Sequence, residues 1–274
     1  MSAAVPIHDN HFHCKPDGWK GLQAIREFKA AGGTSIAHVR LPSYPTTVEQ
    51  FVETCRDHIA FGEKIRAEGI AVHAAIGPYP LEPLKLAERE GWDAAMDFGR
   101  ACFDACVPFF EEGQAVCMGE IGRPHFEVDE QAWARSNELL EYGLGVAKDA
   151  GVPAMLHTEH SEPDTMLEFA QMADRAGLAR DRVIKHYCGP LVGAEENHGL
   201  LPSVIAGRSN IRKALAKGDR FLLETDYIDE PTRPNVVMPC DTVPKRILGL
   251  MQNGELSESV AWKIGDELPR SLYG

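Results

Sequence analysis

Gly151-Val152-Pro153-Ala154-Met155-Leu156-His157 reads as a helix stop, a short apolar strand and a polar side chain where the strand ends. The glycine suits the left-handed residue that closes a helix. Upstream, Asp129 is a plausible N-cap, and Trp133, Leu140, Leu144 and Ala147 follow on one helical face. Downstream, a helical stretch over 163–176 leads to a second apolar run, Val183-Ile184-Lys185, which also ends in a histidine, His186. The same unit recurs along the chain. Strands are expected at 5–9, 34–40, 70–76, 115–121, 152–158, 182–187, 202–206 and 220–225. Helices are expected at 18–31, 47–68, 92–112, 129–149, 163–176, 193–199, 208–217 and 242–253, with a last one over 257–268. Eight such alternations point to an α/β barrel or a doubly wound open sheet. No strand is followed by Gly-x-Gly-x-x-Gly or a P-loop, which removes the usual support for a nucleotide fold.

The chain has 274 residues, 44% of them hydrophobic and 25% charged, enough for one large core. A (β/α)8 barrel occupies about 250 residues as one domain, so a single domain over 1–274 is expected. The net charge of −13 disfavours non-specific attraction to nucleic acid or anionic membrane. Bound cations can invert that locally. No basic leader and no apolar run of about 20 residues is visible, so no membrane association is expected. Seven cysteines without a framework spacing read as reduced thiols of a cytoplasmic protein. Cys102 and Cys106 fall on the apolar stripe of helix 92–112, with Trp92, Ala95, Met96, Phe103, Phe109 and Phe110, and are read as core. The Pro-rich stretches 76–80 and 230–234 follow strands three and eight and read as ordered loops on the active face.

Six residues carry the chemistry. His11 and His13 follow the first strand, two apart, so both imidazoles can aim at one point. Asp9 is placed to hold one of them in its ligating tautomer, or else to cap a turn. Glu120 stands between Gly119 and Gly122 at the end of strand four, His157 and His186 end strands five and six, and Asp226 ends the run Phe221-Leu222-Leu223-Glu224-Thr225. Singly, each has an ordinary alternative: a packed core histidine, a loop glutamate, an N-cap aspartate. Together, at C-terminal strand ends, they match the place where barrel enzymes keep their chemistry. Water on one or two divalent cations can have its pKa lowered to about 7, and histidine–carboxylate sets accept Zn, Mn, Ni or similar ions. Glu224 shares a face with Asp226 and is read as structural. His73 is read as a core or barrel-lining residue.

These residues resemble a known family. Asp9-Asn10-His11-Phe12-His13, Gly119-Glu120-Ile121-Gly122, Leu156-His157, His186-Tyr187-Cys188-Gly189 and Leu222-Leu223-Glu224-Thr225-Asp226, together with the ending from Leu256-Ser257 to Arg270-Ser271-Leu272-Tyr273-Gly274, look like a TatD-type metal-dependent hydrolase of the amidohydrolase superfamily. The resemblance implies a (β/α)8 TIM barrel holding two divalent metal ions, with Zn, Mn, Ni or Mg all admissible. It implies His11, His13 and Asp226 on one metal, His157 and His186 on the other, and Glu120 bridging them. Asp226 would also be the base toward the attacking water. The implied activity is hydrolysis of a phosphodiester, as in a deoxyribonuclease, on a small-molecule or nucleic-acid substrate.

Three departures fall outside the ligands. Arg123-Pro124-His125 stands where Leu-Asp is usual, Tyr227-Ile228 where Ser-Pro is usual, and Leu268 where Asn is usual. They leave open hydrolysis of an amide, lactone or other ester in a small acidic molecule, or a non-catalytic ligand-binding barrel. Arg123, His125, His160 and His38, with Arg40, are the expected substrate contacts, arginine because it pairs bidentately with phosphate or carboxylate.

Overall fold

The computed structural model describes residues 5–230, 232 and 236–274. The chain runs β1 (His8–His13), α1 (Leu22–Ala30), β2 (Ser35–Val39), α2 (Val48–Ala67), β3 (Ala71–Ile76), α3 (Leu81–Glu90) and α4 (Trp92–Glu111). It continues β4 (Cys117–Gly122), α5 (Glu130–Asp149), β5 (Ala154–His157), α6 (Pro163–Ala176), β6 (Val183–Cys188), α7 (Ala194–Asn197), β7 (Leu201–Ile205) and α8 (Arg208–Leu215). The last elements are β8 (Leu222–Glu224), β9 (Tyr227–Ile228), α9 (Thr242–Gln252), α10 (Glu258–Trp262) and α11 (Leu268–Tyr273), the final two joined by a π-helical turn. All strand pairs are parallel, in the order β8-β7-β6-β5-β4-β3-β2-β1-β9. β8 and β9 are one strand interrupted at Thr225–Asp226. β8 pairs with β7 and β9 pairs with β1, so the sheet curls into a TIM-barrel ring.

Asp9 stitches that seam. Its carboxylate accepts from Thr225 N at 3.0 Å, Thr225 Oγ1 at 2.7 Å and His11 N at 3.2 Å. It touches backbone and a hydroxyl, so the expected hold on an imidazole is corrected: the strand ends offered nearer donors. The first strand is corrected too. It spans His8–His13 and carries His11 and His13 within it, and the expected 5–9 run mostly precedes it.

The barrel interior is filled by Ala37, Val39, Ala75, Cys117, Met155, Ile184, Leu201 and Leu222, one or two from each of β2 to β8, as parallel barrels pack. Leu272 and Tyr273 of α11 join this cluster. Arg182, just ahead of β6, holds the Ser271 and Leu272 carbonyls at 3.0 and 3.1 Å, so the chain's own last helix stoppers the end away from the site. Outside the ring, the α4 stripe packs as expected, with Cys102, Phe103, Cys106 and Phe110 buried. The first loop expected on the active face, 76–80, leads into α3; three of the five residues of the second, 230–234, lie outside the described residues. α3 itself has no counterpart among the expected helices.

Candidate metal centre at the barrel mouth

The ring brings all six expected residues together. Nε2 of His11 and Nε2 of His13 stand 3.0 Å apart. From Asp226 Oδ1 they lie 3.9 and 3.7 Å away. Glu120 Oε1 is 2.8 Å from His157 Nδ1, 3.5 Å from His186 Nε2 and 3.3 Å from His11 Nε2, while its Oε2 is 3.8 Å from His13 Nε2. Two convergent donor groups result, His11–His13–Asp226 and Glu120–His157–His186, each with its ligand atoms within 4.8 Å of one another. His11, His186 and Glu224 satisfy the same criterion, so Glu224 sits closer to the chemistry than its reading as structural implied.

The local backbone explains how strands can deliver so many side chains to one point. β1 breaks register between Asp9 and Phe12, β4 between Gly119 and Ile121, and β6 between Lys185 and Cys188. Each irregularity falls at a donor: His11, Glu120 and His186. An irregular residue re-aims a side chain that a strict ladder would hold elsewhere. The Gly119–Glu120 peptide is cis, and Asp226 and Tyr187 adopt positive φ of 48° and 51°.

Protonation and tautomer fit a cation. Nδ1 of His13 faces the Val39 carbonyl at 3.0 Å; donating there leaves Nε2 bare and pointed at the cluster. Burial, reinforced by neighbouring imidazoles, lowers His11, takes His13 down to about 4 and holds His186 well below the usual histidine range. Burial alone would raise Glu120, but the His157 and His11 imidazoles keep its carboxyl well below the ordinary range. Neutral imidazoles around an ionised carboxylate are the state a divalent cation requires of its ligands. Nδ1 of His186 approaches Glu224 Oε1 to 2.9 Å, out of line for a full hydrogen bond. Burial lifts Glu224 to about 6; its oxygens also accept from Ser203 Oγ and, at 2.7 Å, Tyr187 N.

The donors open into a pocket of about 310 Å³ walled by His125, Thr158, Glu159, His160 and Tyr187 as well as by His157, His186 and Asp226. His125 reaches the centre: its Nδ1 is 3.1 Å from His157 Nε2. His160 lines the pocket but is largely exposed, 3.6 Å from Glu162. Tyr79, which the sequence reading passed over, places its hydroxyl 3.2 Å from His157 Nε2. The one available signal was its position in the proline-rich loop 76–80.

Three expected substrate contacts are corrected. Arg123 is buried, and all five of its N–H donors are used, on Glu159, Glu168 and Asn137. His38 is buried behind the strand, bonded to the Cys14 carbonyl at 2.8 Å and stacked on His58. Arg40 is likewise committed, to Glu82 at 2.7 Å. Cys14 and Cys188 both lie in apolar clusters.

The family model for TatD-related DNases matches residues 8–274. The chain belongs to that family. As a TatD-family protein it is a metal-dependent hydrolase. Among its relatives is the uncharacterized protein MJ1127 of Methanocaldococcus jannaschii, 31% identical over 98% of this chain and 96% of the relative. Similar solved structures include YJJV, a TatD homolog from Escherichia coli, at 21% identity, TM-score 0.64 and 97% coverage of each chain. A PTE-like lactonase variant from Deinococcus radiodurans shares the fold at 16% identity and TM-score 0.62, over 100% of this chain and 98% of the other. No helix among the described residues is long and apolar enough to cross a membrane.

Proposed function

We propose that this TatD-family chain hydrolyses a phosphodiester with two divalent cations held by His11, His13, Asp226, His157, His186 and Glu120. One observation carries the reading: Glu120 extends an oxygen toward each of the two donor groups, as a bridging carboxylate must. Divalent cations at this position supply Lewis acidity to the ester oxygen and make water nucleophilic near neutral pH. The chain's residues do the rest. Asp226 at the mouth accepts the proton of the attacking water. The Val39 carbonyl fixes the His13 ring, and Tyr79 and His125 bracket the His157 Nε2 edge, so the donors are held before substrate arrives.

A specific observation favours a second reading, hydrolysis of a small lactone or carboxylic ester. Among the described residues the pocket wall carries no lysine or arginine, whereas a site gripping a long polyanion ordinarily does. A panel separates the two: bis(p-nitrophenyl) phosphate, single-stranded DNA, p-nitrophenyl butyrate and a γ-lactone, each with added Mn²⁺ or Zn²⁺ and with chelator. Chelator-sensitive turnover of the phosphodiesters supports the first reading. Turnover confined to the acyl esters replaces it with the second, and metal-independent or absent turnover throughout removes both.

A further inference from the structure

Beside the metal pocket lies a second cleft, of about 460 Å³, lined by Pro124, Phe126, Val128 and Trp133. His125 and Glu159 line both spaces and so form the wall between them. Apart from Glu159, which follows β5, the cleft is built by the β4–α5 loop and the start of α5, the stretch where this chain departs from the usual family sequence after Glu-Ile-Gly.

The Arg123 cluster gives the cleft its character. The Arg123 guanidinium stacks 4.1 Å from the Trp133 ring and 4.7 Å from Phe169, and it bonds both oxygens of Glu159. The shared wall is therefore fixed and its carboxylate locally neutralised. No cation in the described lining is free to hold a phosphate or carboxylate, and Glu127 at the edge opposes one. Phe126 is half exposed, with its ring edge-on to His125 at 5.3 Å between centroids. With Pro124, Val128 and Trp133 it forms a contiguous apolar face beside the metal pocket, and such a face is the kind a ligand covers.

We infer that this cleft is a substrate subsite for an uncharged aromatic ring joined to the group hydrolysed at the metal centre, with Phe126 as its specificity-determining side chain. The ring lies on Phe126 in offset or edge-to-face contact while the reacting ester sits across the His125–Glu159 wall. A nucleobase and a simple aryl group share this chemistry. The inference rests on the hydrolase reading above.

Calorimetric titration of Mn²⁺-loaded protein with methylphosphonate and with (1-naphthylmethyl)phosphonate tests it, since both carry the same anion and only one carries a ring. Wild type is expected to bind the naphthyl compound about tenfold tighter. Phe126→Ala should lose most of that preference with methylphosphonate affinity unchanged, and Phe126→Tyr should keep it. Thymidine 5′-monophosphate in the same titration identifies the source of the ring: a Phe126-dependent gain over methylphosphonate that exceeds the naphthyl gain assigns a nucleobase, and a smaller one assigns an aryl group. Equal binding of the two phosphonates by wild type, or a preference that survives Phe126→Ala, overturns the subsite alone. Failure of methylphosphonate to bind with or without Mn²⁺ overturns the hydrolase reading and the subsite with it.

Discussion

At Gly122 there is room for a hydrogen and nothing larger. A Cβ there would stand 1.9 Å from the His157 carbonyl oxygen, against backbone that cannot yield without moving His157. Gly122→Ala is expected to cost about 3 kcal/mol or more, read by urea unfolding, and to weaken metal uptake in parallel. On the proposed two-cation reading, Glu120→Ala should lower metal content relative to wild type by elemental analysis; full wild-type occupancy in that variant removes Glu120 as the bridge. Asp226→Asn should retain fold and partial metal while turnover falls by about 10²–10⁴-fold, and normal turnover would remove Asp226 as the base. The convergence of the six residues was legible because each is a metal-binding residue type and four of them end short apolar runs, while His11 and His13 lie within β1. The fate of Arg123 was not, because its partners Glu159 and Glu168 lie 36 and 45 positions away and nothing local announces them.

Among the elements, α3 shows where pattern reading stops. Its first turn is held by a charge: Glu82 is fully buried, accepting from Arg40, Ser43 N and Tyr79 N at 2.7–3.0 Å. An apolar stripe would have announced the helix, and a buried glutamate beside Pro83 does not. The pair also fixes the Tyr79 end of the loop that reaches His157. Removing one partner of a buried pair strands the other, at about 3–5 kcal/mol. Arg40→Leu should therefore lower the urea midpoint by that equivalent. Wild-type stability in the variant would show that Glu82 is held by its backbone donors alone. The strand irregularities were equally hidden. A period-two pattern expresses which face a residue takes, and β1, β4 and β6 each break that period at the donor itself.

For the molecule as a whole, the alternation of elements was legible in the pattern, and closure was legible only through the family resemblance, since β9 is two residues long and follows a positive-φ aspartate. The stoppered end of the barrel makes a pH prediction. Burial, with His73 nearby, lowers His8 to about 3; burial, with Arg66 nearby, lowers His73 to about 4. His73 stacks on Tyr273 at 4.9 Å, and Tyr273 donates to Asn10 at 2.7 Å. Both histidines stay neutral in the folded chain and take up protons on unfolding. The unfolded state thus binds more protons between the unfolded histidine value of about 6.5 and the folded values. Stability should fall as pH drops from about 6.5 toward 4. Melting temperature against pH checks this, and His73→Asn should flatten the slope. An unchanged slope would place the acid sensitivity elsewhere.

The seam at Thr225–Asp226 has a consequence for biosynthesis. A growing polypeptide displays His11 and His13 early, and Asp226, with the backbone that Asp9 must grip, emerges 215 or so residues later. At about 5–20 residues per second, that interval is roughly ten to forty seconds. Throughout it the nascent copy owns imidazoles without the carboxylate that completes their group, and an open sheet in place of a ring. Completion of the His11–His13–Asp226 group therefore arrives late in translation, together with closure of the barrel, whereas the Glu120–His157–His186 group has all its residues some forty positions earlier.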